Sequence, residues 1–348
     1  MRFQTSTSPH HTTNNSVGRV MRQVLYALAP GTLAMIWYFG SGVLFQILIA
    51  IVVALASEAA VLAARGLPMQ PFLGDYSAVA TAWLLALALP PLAPWWVAAT
   101  GAAFAIIIAK HIYGGLGYNP FNPAMVGYAV VLLSFPSEMT LWPPPAPLAG
   151  EDLHLLQTLS VILAGNLPHG MHWDTLTMAT PLDAMRTGLE MMRTIEEIRA
   201  SPLWGDFGGK GWEWVANWYF AGGMWLLYKR IITWRIPVTM LGSLLITAGL
   251  AYIADPGSHP FPAFHVFSGG AMLGAFFIVT DPVTASATPV GKLIYGAGIG
   301  VLTFVIRAWG DYPDGVTFAV LLMNMAVPTI DRYTKPRAFG QRAERDIN

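Results

Sequence analysis

Apolar runs long enough to cross a bilayer dominate this chain. A helix needs about 20 mostly apolar residues to span the hydrocarbon core. Runs of that kind fall at about 23–40, 42–64, 76–92, 94–112, 120–136, 213–229, 236–254, 264–281, 289–307 and 315–331. They predict an all-α integral membrane protein with ten transmembrane helices. The third run adjoins P-L-A-P and the eighth contains S-G-G-A, so both are expected to be short or broken. Between the fifth and sixth runs lies a polar stretch from 137 to 212.

Basic residues orient these elements, because Lys and Arg concentrate in cytoplasmic loops. With the N-terminus inside and ten crossings, 14 of the 19 basic residues fall on the cytoplasmic side, Lys110 among them. Arg186, Arg193, Arg199, Lys210 and Arg307 fall outside. The polar stretch is then extracytoplasmic, and it is acidic, with nine Asp and Glu against four Lys and Arg. The expected organisation is a cytoplasmic N-terminal segment (1–22), five helices (23–136), the loop (137–212), five more helices (213–331) and a cytoplasmic tail (332–348). The N-terminal segment is polar and has no A-x-A site, so no cleaved signal peptide is expected.

Each half carries a Gly/Pro-broken polar connection before its last helix. These are K-H-I-Y-G-G-L-G-Y-N-P-F-N-P-A-M-V-G-Y-A-V-V-L-L at 110–133 and R-A-W-G-D-Y-P-D-G-V-T-F-A-V-L-L at 307–322. Five is odd, so the halves would have opposite orientations in the membrane, forming an inverted repeat. In such folds the bare backbone of broken helices lines an internal site, because it is too costly to expose to lipid.

Composition agrees with a lipid solvent: 55% of residues are hydrophobic, 11% are charged, and mean hydropathy is +0.51. Soluble domains carry about 25% charged residues. Net charge is zero, which gives no reason to expect nucleic acid. The absence of cysteine excludes thiolate-held iron–sulfur clusters and disulfides within the chain. No strand-turn-helix context accompanies the G-x-G elements, so dinucleotide binding is assigned to a partner. His111, Tyr113, His259 and His265 show no metal-ligand spacing, and no metal site is expected. Most of the 13 tryptophans lie near span ends, as interface anchors do.

The loop contains D-T-L-T-M-A-T-P-L-D at 174–183, with hydroxyls at Thr175, Thr177 and Thr180. Thr180 is expected to be an N-cap, with Pro181 at N1 and Asp183 in the first turn of a helix running to about Ala200. A helix N-terminus also favours phosphate. Residue physics goes no further than that.

T-M-A-T-P-L-D is similar to the S/T-x-A-T flavinylation motif, in which the last Thr carries FMN by a phosphoester. Met178 stands where many such motifs have Gly. G-G-L-G-Y-N-P-F-N-P-A-M-V-G-Y (114–128), F-I-V-T-D-P-V-T-A (277–285) and the ten-span layout resemble the same family. That family comprises the D subunits of bacterial Rnf complexes, ion-translocating ferredoxin:NAD+ oxidoreductases, and the related B subunits of sodium-pumping NADH:quinone reductases. The resemblance covers about 20–335. It implies FMN on Thr180, with a second, non-covalent flavin left open. It also implies an inner-membrane location with both termini cytoplasmic, and the A, B, C, E and G subunits of the Rnf complex as partners. The G subunit, which also carries covalent FMN, would exchange electrons on the periplasmic side. The implied fold, two inverted five-helix halves, resembles urea transporters, so a small-solute channel is the rival reading. Neither reading fixes Na+ or H+ as the ion.

Three acidic residues remain. Glu58 stands alone in an apolar helix, where an ionisable group is either functional or a structural hydrogen-bond partner. Asp75 and Asp281 sit at span ends beside hydroxyls. Both are candidates for an ion path, and N-capping accounts for each as simply.

Overall fold

The computed structural model describes residues 16–150, 153–312 and 314–336. Residues 1–15 and 337–348, and with them Arg2, Arg337, Arg342 and Arg345 of the predicted cytoplasmic segments, lie outside the described residues. The described chain forms 17 α-helices and contains no β-strand beyond one isolated bridge between Trp204 and Gly209.

Eleven of these helices frame the functional regions. In the first half they are α1 (Val17–Phe39), α2 (Gly42–Ala64), α3 (Ser77–Ala88), α4 (Trp95–Phe104) and α5 (Pro123–Ser134). α4 continues as a π-helical turn, Ala105–His111. The intervening loop contributes α6 (Pro181–Glu190). The second half has α7 (Trp212–Tyr228), α8 (Arg235–Ala254), α9 (Pro262–Phe267), α10 (Pro289–Trp309) and α11 (Val316–Tyr333). The predicted eighth run is broken, as α9, a short turn Ala271–Leu273 and a second π-helical turn, Gly274–Ile278. Its glycines at 269 and 270 interrupt the helix, and Gly269 has φ +62°.

Three helices, α2, α8 and α10, are long and apolar enough by themselves to cross a membrane. α3 and α5 are apolar but only 12 residues each, so neither spans a bilayer alone. The outward faces carry large apolar side chains: Leu33 and Trp37 on α1, Val52 on α2, and Ile246, Leu250 and Ile253 on α8 are all exposed. An apolar surface of this kind suits lipid rather than water.

Packing depends on small residues that let backbones approach. α1 lies against α7, where a Cβ on Gly222 would sit 2.0 Å from the Ala27 carbonyl oxygen. α8 lies against α10, where a Cβ on Gly300 would meet the Met240 carbonyl oxygen at 2.2 Å. α5 follows Asn122, whose side chain accepts from Met125 N at 3.3 Å, with Pro123 at N1.

The loop folds back onto this core. Leu182, Met185, Ile198, Leu203 and Trp204 bury themselves against Phe264 of α9. One expectation is corrected here: the helix predicted from Thr180 to about Ala200 ends at Glu190. Met192 adopts φ +58°, and a new helix, Ile195–Arg199, starts from a capping box in which Thr194 and Glu197 satisfy each other's backbone. The T-x-x-E signal restarts the helix.

Candidate functional site

Two cavities lie at opposite ends of the same helices. One, of about 270 Å³, is reached from the loop and has Thr180 on its wall. The other, of about 310 Å³, has Lys110 on its wall. They share no lining residue. α1 gives Met35 to the Thr180 cavity and Val17 to the Lys110 cavity; α7 gives Trp212 and Tyr219 to the first and Leu226 to the second. α3 divides likewise, Ala88 against Ser77. Between the cavities sits a polar knot. Asn324 of α11 accepts from Asn122 N at 3.2 Å and donates to Tyr295 Oη at 2.8 Å, while the Asn122 amide donates to Ile278 O at 3.2 Å.

The three threonines of the loop segment are not equivalent in space. Thr175 is exposed, gives its hydroxyl proton to His172 O at 2.7 Å and edges a separate open cleft. Thr177 donates to Trp173 O at 2.9 Å. Only Thr180 reaches the aromatic cavity. Met178 N donates to Trp142 O at 2.8 Å, which pins the segment beside that wall. Thr180 then caps α6: its Oγ accepts from Asp183 N at 3.2 Å and donates to Asp183 Oδ2 at 2.6 Å. Burial raises the Asp183 carboxyl above the usual carboxylate range, while its bonds with Thr180 pull the other way.

The wall is aromatic. Trp142 and Trp212 lie 4.9 Å apart between ring centres, and Phe39 packs 4.7 Å from Trp212. Tyr219 lines the cavity and is buried, yet its hydroxyl has no hydrogen-bond partner. An orphaned hydroxyl of this kind calls for an explanation, and a polar ligand in the cavity is one. Asp314 closes the far side. Its carboxylate takes Gly270 N at 2.6 Å and Val316 N at 3.2 Å and pairs with buried Arg307 at 2.9 Å. Arg186 ties α6 to this wall through Asp311 at 3.1 Å and to its own turn through Glu190 at 2.9 Å.

At the Lys110 cavity the structure joins residues that the sequence presents as unrelated. Glu58 is buried to 1% exposure and pairs with Lys110, which is itself buried. His111 Nε2 lies 3.3 Å from the same Glu58 oxygen. Lys110 also donates to Ser77 Oγ at 2.8 Å, and Ser77 Oγ donates to Asp75 Oδ1 at 2.6 Å. Asp75 takes Ser77 N at 2.7 Å as well, while the N-cap of α3 is Tyr76, so Asp75 is not the helix cap itself. Asp281 lines the Lys110 cavity and accepts from Thr284 Oγ at 2.9 Å. Glu58 and Asp75 are thus linked, Asp281 stands across the cavity, and Thr180 is apart from all three.

Lys110, which the sequence counts on the cytoplasmic side at the end of its span, is buried. The π-helical turn supplies the reason, since its wider winding rotates Lys110 and His111 inward onto α2. Two ionisable residues ending the apolar run A-I-I-I-A-K-H were the available signal. Among the described residues, no three His, Asp or Glu side chains are placed to hold a metal ion.

The profile of the NQR2, RnfD, RnfE family matches residues 4–340. The chain belongs to that family. It is similar over nearly its whole length to proteins named as the D subunit of an ion-translocating oxidoreductase complex. The one from Vibrio cholerae is 51% identical over 347 residues, covering 98% of this chain and 100% of the relative. Those from Aeromonas hydrophila and Escherichia fergusonii are 50% and 48% identical, each covering 98% of this chain and 99% of the relative.

Proposed function

We propose that this chain is the membrane subunit of an ion-translocating oxidoreductase complex of the ferredoxin:NAD+ type. In this reading it carries FMN in phosphoester linkage to Thr180. The observation that carries the reading is that Thr180, alone among the three threonines, stands at a helix N-terminus on the wall of an aromatic cavity. The family and the names of its relatives support the complex. The partners are the A, B, C, E and G subunits, with the G subunit exchanging electrons beside the loop and membrane lipid surrounding the helices. Ferredoxin and NAD+ meet partners, since this chain offers no dinucleotide fold.

The residues present fit the cofactor. Trp142 and Trp212, their rings tilted 57° to each other, give an apolar aromatic wall. The unpartnered Tyr219 hydroxyl awaits a polar atom, and the first turn of α6 offers N–H groups to a phosphate. When bound, FMN supplies one- and two-electron transfer, the chemistry belonging to its ring. The chain supplies the rest. Thr180 Oγ would take the flavin phosphoryl group from a flavin dinucleotide, whose pyrophosphate bond breaks to release the nucleoside monophosphate. Asp183 Oδ2, which accepts the Thr180 hydroxyl hydrogen bond at 2.6 Å, would take the proton. The aromatic wall limits water, and the Arg186–Asp311 tie keeps α6 against the cavity.

The same reading sets ten crossings in two inverted halves in the inner membrane, with both termini cytoplasmic. Its support is the division of α1, α3 and α7 between the cavities: each helix places one end at the loop side and the other near the basic connections. The channel reading lacks comparable support, because the knot at Asn122 and Asn324 separates two cavities that share no lining residue. A denaturing gel tests the proposal. The chain from a host with flavin transferase is expected to fluoresce yellow-green, and a dark band would overturn the redox role.

A further inference from the structure

We propose that the Glu58 site binds and passes a proton, and that it is not a sodium seat. The inference rests on the reading of this chain as part of an ion-translocating complex and deepens it by naming the ion. Four hydrogen bonds join the span end to the interior: Ser77 donates to Asp75, Lys110 donates to both Ser77 and Glu58, and Glu58 meets His111 Nε2. Every group along it can hold or hand on a proton, as intramembrane relays of carboxylates and imidazoles do. Asp75 at the outer end is partly exposed, while Ser77, Lys110, Glu58 and His111 are buried.

Two atoms at the inner end have no partner: Glu58 Oε2 and His111 Nδ1. The open carboxylate oxygen can take a proton, and the tautomer of His111 with its proton on the open Nδ1 leaves Nε2 free to accept from Glu58 at 3.3 Å. A hard metal cation instead requires a shell of oxygens. Around Glu58 the neighbours are an ammonium, which repels such a cation, and an imidazole. The charged and titratable groups in the neighbourhood are Lys110 and His111 on the π-helical turn, Asp75 at the start of α3, Arg65 beyond the end of α2 and Asp281 across the cavity.

The transfer balances without any further reactant. The Lys110 ammonium gives a proton to Glu58. In the structure Lys110 donates to Ser77 and Ser77 donates to Asp75. With Asp75 protonated and Lys110 left as an amine both bonds reverse, so that Ser77 gives its hydroxyl proton to the Lys110 amine and takes one from the Asp75 carboxyl. Water at the exposed end resupplies Asp75. Lys110 is an ammonium before and after, and one proton has moved from Asp75 to Glu58. From Glu58 the next acceptor within reach is His111.

The test is infrared difference spectroscopy of the full-length chain, purified from membranes with its accompanying subunits, as pH is stepped in sodium or potassium medium. We expect a carboxyl C=O band that titrates, shifts in D2O, vanishes in Glu58→Gln and keeps one midpoint in both media. Ser77→Ala breaks the path, and exchange of that proton for deuterium is expected to slow on the order of a hundredfold. A wild-type protein with no titrating Glu58 band would reduce the pair to a structural tie. A midpoint that moves with sodium would make the site a sodium seat. Should Glu58→Gln fail to fold, Glu58→Asp assigns the band by its frequency. The readout does not depend on flavin, so the fluorescence of Thr180 on the same sample fails or succeeds separately.

Discussion

In the proposed reading the two cavities divide the labour of the molecule between the ends of shared helices. The Thr180 cavity is walled by tryptophans and tyrosines, and the Thr180 hydroxyl is delivered from a loop by a capping turn. The Lys110 cavity borders an ionic cluster built largely from residues of the helices themselves, with Thr280 and Asp281 of one turn on its wall. Redox groups can be attached and exchanged from a loop, whereas an ion path must be buried to be selective. The knot of Asn122, Asn324 and Tyr295 holds the two apart, where α5 begins and the second π-helical turn ends.

The largest effect separating the cavities is expected from Lys110→Met, which strands the Glu58 carboxylate in the interior. Losing one partner of a buried pair costs about 3–5 kcal/mol, and thermal melting should fall accordingly. Adding Glu58→Gln should recover much of that loss. A melt unchanged by Lys110→Met would mean the pair is not what it looks like at 1% and 3% side-chain exposure. Flavin attachment at Thr180 should survive in whatever fraction remains folded.

Next comes the crossing that holds both cavities in register. Gly222→Ala drives a Cβ into the Ala27 backbone carbonyl, which cannot step aside as a side chain would. Overpacking of this kind costs about 1–3 kcal/mol, and both cavities should loosen together, read as faster hydrogen exchange along α1 and α7. A change confined to one cavity would argue against a shared frame.

Smaller effects belong to the Thr180 cavity alone. Asp183 has its carboxyl raised by burial, so folding takes up a proton there. Its contribution to stability is greatest below the ordinary carboxylate range and declines as pH rises through the raised value. Flavin attachment should show the opposite slope, quickening over the same window as the carboxylate that accepts the Thr180 proton forms. Asp183→Asn should flatten both curves; an unchanged attachment profile would remove Asp183 from that role. Tyr219→Phe is the mildest change. Its hydroxyl has no protein partner, so stability should move by less than about 0.5 kcal/mol, while the flavin midpoint potential shifts. A potential that does not move would place the ring elsewhere.

Much of the Thr180 cavity was legible in the sequence. T-P-L-D encodes a cap, a proline at N1 and a first-turn acid, and each occupies that position. The sequence could not show that Thr180 alone faces Trp142 and Trp212, since that follows from the Met178–Trp142 hydrogen bond and the path of α7. The predicted end of α6 was too late because T-I-E-E, a capping-box signal present in the sequence, restarts the helix at Thr194. The Lys110 cavity was much less legible. Glu58 stood out as a lone acid, but its partners lie 52 and 53 positions away, and a π-helical turn has no sequence period of its own to announce which side chains it turns inward. The break in the eighth run was readable, because S-G-G gives the backbone both freedom and a reason to leave the helix.

The central question is which hydroxyl carries the flavin. Peptide mass mapping of the chain made with flavin transferase decides it. The peptide containing residues 175–180 is expected to carry one FMN less one water, fragmenting to Thr180, and Thr180→Val should remove the added mass entirely while Thr177→Val and Thr175→Val retain it. Modification that persists in Thr180→Val, or that maps to Thr175 or Thr177, would contradict the assignment of the aromatic cavity as the redox site.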